Sequence, residues 1–105
     1  MKTSTLIYNP IAGRHPARRA REIRRAAEIL RKVGMEVEVS PTAGPGAASE
    51  LAKQAARKGR DIVLVCGGDG TINEVINGLA GSQASLGLLP GGTANILARD
   101  MGLPL

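Results

Sequence analysis

Five apolar residues, Ile62 to Cys66 (IVLVC), run without a polar spacer into Gly67, Gly68, Asp69, Gly70 and Thr71. An unalternating, mostly β-branched run suits a strand covered on both faces, and such strands belong to parallel sheets flanked by helices. Helical spacing then resumes. Ile72, Val75, Ile76 and Leu79 share a face, and Thr71 with Glu74 has the spacing of a capping box, so a helix is predicted from Thr71 to about Leu79. A buried strand, a stretch of bare backbone and a helix in quick succession leave few architectures open.

The remaining segments repeat the alternation. Residues 4–8 (STLIY) read as a short buried strand stopped at Asn9 and Pro10. From about Ala17 to Val33, Ile23, Ala26, Ala27, Leu30 and Val33 recur at helical spacing, and Gly34 closes the segment. Met35 to Ser40 (MEVEVS) alternates as a sheet-edge strand does. Pro41 to Gly46 has turn chemistry, and Ala47 to about Lys58 is helical until Gly59. Leu86 to Leu89 is a fourth strand before Pro90, and Thr93 is placed to cap a helix carrying Ile96 and Leu97. The order βαβαβαβα predicts one α/β domain over residues 1–105: a three-layer parallel β-sheet flanked by helices, with right-handed crossovers.

Composition narrows the function classes. With 43% hydrophobic and 22% charged residues, the 105-residue chain fits an ordinary globular domain. Cys66 is the only cysteine, which excludes an internal disulfide and a cysteine-based zinc site; it reads as a small buried hydrophobe. No stretch approaches a membrane span, and Met1 to Asn9 lacks a signal-peptide core. The expectation is a cytoplasmic protein.

Three unusual loops follow strands: NPIAG at Asn9 to Gly13, GGDGT at Gly67 to Thr71, and PGGT at Pro90 to Thr93. In an open parallel sheet, ligands bind beyond the carboxyl ends of the strands. Glycine permits positive φ and close approach to the main chain, and a helix start offers unpaired N–H donors to an anion. Phosphate is the expected ligand, with Asp69 available to a magnesium ion or a reacting hydroxyl. The GxxxxGK and GxGxxG nucleotide signatures are absent.

Together, NPIAGR, GGDGTINEVINGL and LGLLPGGTANILARDMGLP resemble the catalytic domain of the diacylglycerol kinase family, which includes bacterial lipid kinases and sphingosine kinases, nearly end to end. The resemblance implies the N-terminal, nucleotide-binding domain of the NAD kinase and diacylglycerol kinase fold. It also implies transfer of the ATP γ-phosphoryl group, with Mg2+, to a lipid hydroxyl such as that of diacylglycerol. Asn9 and Thr42 would lie at the nucleotide. Gly67, Gly68, Asp69, Gly70, Thr71, Ile72, Asn73 and Glu74 would carry the phosphate-binding motif, Gly92 and Thr93 would close the site, and Asp69 would be the catalytic acidic residue. Ile96 stands where many relatives carry an acidic residue, and Gly91 where a larger one is frequent. Relatives continue into a β-rich domain holding the proposed base and lipid pocket, so the chain is expected to be the nucleotide-binding half. A non-catalytic nucleotide- or partner-binding module is the alternative, and apolar surface left uncovered would favour a homo-oligomer.

Between Arg14 and Lys32, eight basic residues face Glu22 and Glu28, a local charge of +6 in a chain of +5. Three uses stay open: a solvated helix face, contact with anionic membrane, or contact with nucleic acid. Tyr8 is the sole aromatic residue, so stacking on single strands is excluded and no specific nucleic-acid recognition is expected.

Overall fold

The computed structural model describes residues 2–11 and 15–89. Its elements in order are β1 (Thr3–Tyr8), α1 (Pro16–Lys32), β2 (Glu36–Pro41), α2 (Ala47–Arg57), β3 (Ile62–Cys66), α3 (Asp69–Gly78) and β4 (Ser85–Leu88). The four strands are all parallel and lie in the order β2-β1-β3-β4. The fourth helix expected after Thr93 lies outside the described residues.

The register explains why the strand sequences differ. Leu6 stands opposite both Val39 and Leu64, and these three side chains face α1. There Leu6, Leu64, Cys66 and Val37 pack against Ile23, Ala27 and Leu30. Ile7, Val63 and Val65 point to the other face, against Ala48, Ala52 and Ala55 of α2 and Val75 of α3. Strand β3 is thus covered on both sides, as its unbroken apolar run requires. Strand β2 is an edge strand: Val37 is buried, while Glu36 and Glu38 hold ion pairs with Arg60 and Lys58.

Two connections run toward β4 over the α2/α3 face, and the β1-to-β2 connection runs the opposite way over the α1 face. A single crossover hand requires this division. It also makes the gap between the ends of β1 and β3 the point where chain direction switches.

Local endings follow sequence chemistry in two places and depart from it in one. Gly34 (φ +91°) and Gly59 (φ +74°) take left-handed backbone just past α1 and α2, where a side chain would be strained. Helix α3, however, begins two residues before the predicted Thr71. Gly68 is its N-cap in extended conformation, with no side-chain capping bond, and the Ile72 N–H reaches the Gly68 carbonyl at 3.1 Å. The Thr71/Glu74 capping box therefore does not form, because Glu74 has a partner on another helix.

Candidate phosphate-binding site

A cavity of about 370 Å³ opens at the carboxyl ends of the strands. Three loops build it. Asn9 and Ile11 follow β1; Thr42, Ala43, Gly44 and Pro45 lead into Ala48 of α2; Gly70, Thr71 and Glu74 come from the start of α3. The Asn9 Oδ1 accepts the Ile11 N–H at 3.1 Å, folding the chain back over the end of β1. The Thr42 N–H donates to the Tyr8 carbonyl at 2.9 Å, which fixes the β2-to-α2 loop beside the β1 end.

Two helix starts meet this cavity, and they differ in what they leave open. At α2, the Ala47 N–H donates to the Gly44 carbonyl at 3.1 Å, and the Ala48 N–H donates to Glu74 Oε1 at 3.2 Å. A carboxylate at the positive end of a helix is favourable, so Glu74 caps α2 from α3. At α3, the first intrahelical donor is Ile72, which leaves the N–H groups of Asp69, Gly70 and Thr71 without intrahelical acceptors. Among the described residues these three amides have no hydrogen-bond acceptor, and a helix start of this kind carries a partial positive charge.

The glycines of this rim serve space rather than unusual torsion. Among the described residues, positive φ occurs at Gly34, Gly46, Gly59 and Gly81, and not at Gly67, Gly68 or Gly70. A Cβ at Gly67 would stand 2.9 Å from the Thr71 Cβ, so this position is closed by packing. At Gly68 and Gly70 a Cβ would meet no described residue within 4 Å.

Of the residues singled out from sequence, Asn9, Thr42, Gly70, Thr71 and Glu74 line the cavity. Gly67 is half-buried behind Thr71, and Gly68, Asp69 and Asn73 are exposed at the rim and on the outer side of α3. The Ile72 side chain packs against the α2/α3-side core. Gly92 and Thr93 lie outside the described residues. Ala43, Gly44 and Pro45 were legible only as turn chemistry; what marked them was a further Gly- and Pro-bearing segment following a strand.

The described residues define a parallel α/β domain with a ligand-sized cleft at its switch point, ringed by an open helix start. The chain belongs to the diacylglycerol kinase catalytic domain family, whose model matches residues 3–105. It is similar to the diacylglycerol kinase of Bacillus subtilis (strain 168), with 40% identity over 109 residues, covering 99% of this chain and 34% of that protein. It is also similar to the diacylglycerol kinase of Staphylococcus aureus (strain MRSA252), at 36% identity over 105 residues, 98% of this chain and 33% of the relative. The crystal structure of a diacylglycerol kinase from Bacillus anthracis str. Sterne superimposes with TM-score 0.71 at 31% identity, covering 98% of this chain and 38% of that one. The chain spans about a third of the length of the curated relatives it matches.

Proposed function

We propose that this chain is the ATP-binding part of a lipid kinase, which transfers the ATP γ-phosphoryl group to a lipid hydroxyl of the diacylglycerol type. The observation that carries the reading is the open start of α3 beside the cleft at the β1/β3 switch point. Phosphoryl transfer rests on positioning and on neutralising phosphate charge, and free amides supply both without a reacting side chain. Asn9, Thr42, Gly70 and Thr71 supply the walls for the nucleotide.

Magnesium use fits the donor set. This ion commonly takes one or two carboxylates and completes its shell with phosphate oxygens and water. Asp69, exposed in the first turn of α3, is the residue that would hold it; when bound, the ion offsets phosphate charge. Glu74 is already committed to the Ala48 amide and acts on the site by fixing α2 against α3.

The lipid acceptor suggests a use for the basic helix. Arg31 donates to the Val37 carbonyl at 2.8 Å, whereas Arg18, Arg21 and Arg24 are exposed and make no ion pair among the described residues. This outer face of α1 contacts anionic bilayer electrostatically. No helix among the described residues is long and apolar enough to cross a membrane.

Calorimetric titration with Mg·ATP, followed by a radiolabelled diacylglycerol phosphorylation assay, tests the kinase reading. Binding with turnover supports it, binding without turnover favours a nucleotide-binding module, and absence of binding rejects both. Co-sedimentation with phosphatidylglycerol vesicles that fades as salt rises supports the bilayer contact; equal binding to phosphatidylcholine rejects it.

A further inference from the structure

Arg19 stands apart from the other cations of α1. It is half-buried, and its Nη1 donates to the Cys66 Sγ at 3.0 Å. Cys66 is the last residue of β3 and is itself 3% exposed, so this contact places a guanidinium directly behind Gly67, on the α1 side of the rim. The pairing is chemically uneven. A guanidinium carries five N–H donors and a full charge, and a neutral thiol is a weak acceptor that offsets none of it. Among the described residues no carboxylate oxygen lies within ion-pair distance of Arg19. Glu22, three residues further along the same helix, keeps its buried Oε2 without a hydrogen-bond partner instead of turning it to Arg19.

A partly buried cation without a counter-charge is costly unless an anion completes it. The rim adjoins this contact, where the chain turns from Cys66 through Gly67 and Gly68 into the start of α3. We infer that Arg19 supplies positive charge to a polyphosphate bound at this rim, with Cys66 orienting the guanidinium from below; the inference rests on the phosphate-site reading above. Arg19 does not line the cleft, which opens toward α2 and α3. It acts from the opposite side of the β3 end, so the anion lies between the two charge sources, the amides on one flank and the guanidinium on the other.

The test is titration of the chain with inorganic tripolyphosphate, then with Mg·ATP, at about 0.1 M salt, where exposed charges more than about 10 Å from the ligand are screened. Arg19→Gln weakens tripolyphosphate binding about tenfold, Arg19→Lys recovers most of the loss, and Arg21→Gln on the outer face of the same helix changes little. A folded Arg19→Gln protein with wild-type affinity overturns the inference, as does Arg19→Lys binding no better than Arg19→Gln. Should Arg19→Gln fail to fold, the Arg19 Nε–Hε signal in the wild-type NMR spectrum decides: it must move on adding tripolyphosphate by more than the signals of Arg21 and Arg24, and a stationary signal refutes the role. Wild-type protein that binds neither ligand rejects the phosphate site itself, and this inference with it.

Discussion

Among the described residues, side chains tie the amino ends of β1, β2 and β3 together, whereas the carboxyl ends border a cleft. Near the starts of β1, β2 and β3, Arg60 bridges Glu36 at 3.2 Å and Glu38 at 3.7 Å, and Lys58 reaches Glu38 at 3.1 Å. Asp61 closes the same edge by accepting the Thr3 N–H at 2.8 Å and the Thr3 hydroxyl at 3.2 Å. Among the described residues, the opposite edge presents bare glycine, amides without an acceptor and a cleft. The sheet core makes this division affordable: burying one side chain such as Val63 or Val65 contributes roughly 1.5–3 kcal/mol, more than any surface ion pair, so an unsatisfied rim is tolerated. Stability and ligand binding are therefore separable by edge, and substitutions at each should move one quantity and spare the other.

Asp69→Asn gives the largest expected separation. It removes the carboxylate proposed to hold magnesium, and the magnesium-dependent part of ATP affinity falls about a hundredfold, while the loss of a helix-start charge costs under about 1 kcal/mol of stability. Parallel ATP titrations with and without magnesium, beside urea melts, measure both. Next in size is Gly68→Ala. The backbone there accepts a methyl group without contact among the described residues, so the protein should unfold at nearly the wild-type midpoint, yet the methyl stands in the path proposed for phosphate and ATP binding should weaken about tenfold. A loss of stability matching the loss of binding would erase the distinction drawn for this edge.

At the amino edge the same comparison runs in reverse. Arg60→Ala breaks two ion pairs and is expected to cost about 1 kcal/mol, or roughly 5 °C in melting temperature for a domain of this size. ATP affinity should not change. A calorimetric scan and one ATP titration suffice, and weakened ATP binding in the folded variant would show that the edges communicate.

Most of the fold was legible because its signals are local. The IVLVC run, the alternation of MEVEVS and the glycines at 34 and 59 each act within a few residues, and the structure places β3 and two helix ends where those residues put them and β2 one residue later, at Glu36–Pro41. The start of α3 was misread because Glu74 satisfies an amide 26 positions away rather than its own helix, a choice no local spacing reveals. For the same reason Ala43 to Pro45 looked like plain turn chemistry: what brings them to the cleft is the pairing of β2 beside β1, a long-range fact. Ile72 belongs to the motif by position, but its side chain serves the core.

The smallest predicted effect concerns Asp61, and it isolates the amino edge by pH. The Thr3 backbone N–H, followed by the Thr3 hydroxyl, holds the Asp61 carboxyl below the ordinary aspartate value of 3.8. A group whose folded pKa is lowered contributes stability in full above its unfolded pKa and loses it as pH falls through the folded value. Asp61→Asn keeps an acceptor for Thr3 but removes the charge. The stability gap between wild type and Asp61→Asn should thus be small and constant from about pH 7 to 5, then close as pH drops below about 4. Urea melts of both proteins across that range measure it, and the other carboxylates, common to both, cancel in the difference. A gap that persists undiminished at about pH 2.5 would mean the side chain acts at this edge through shape rather than charge.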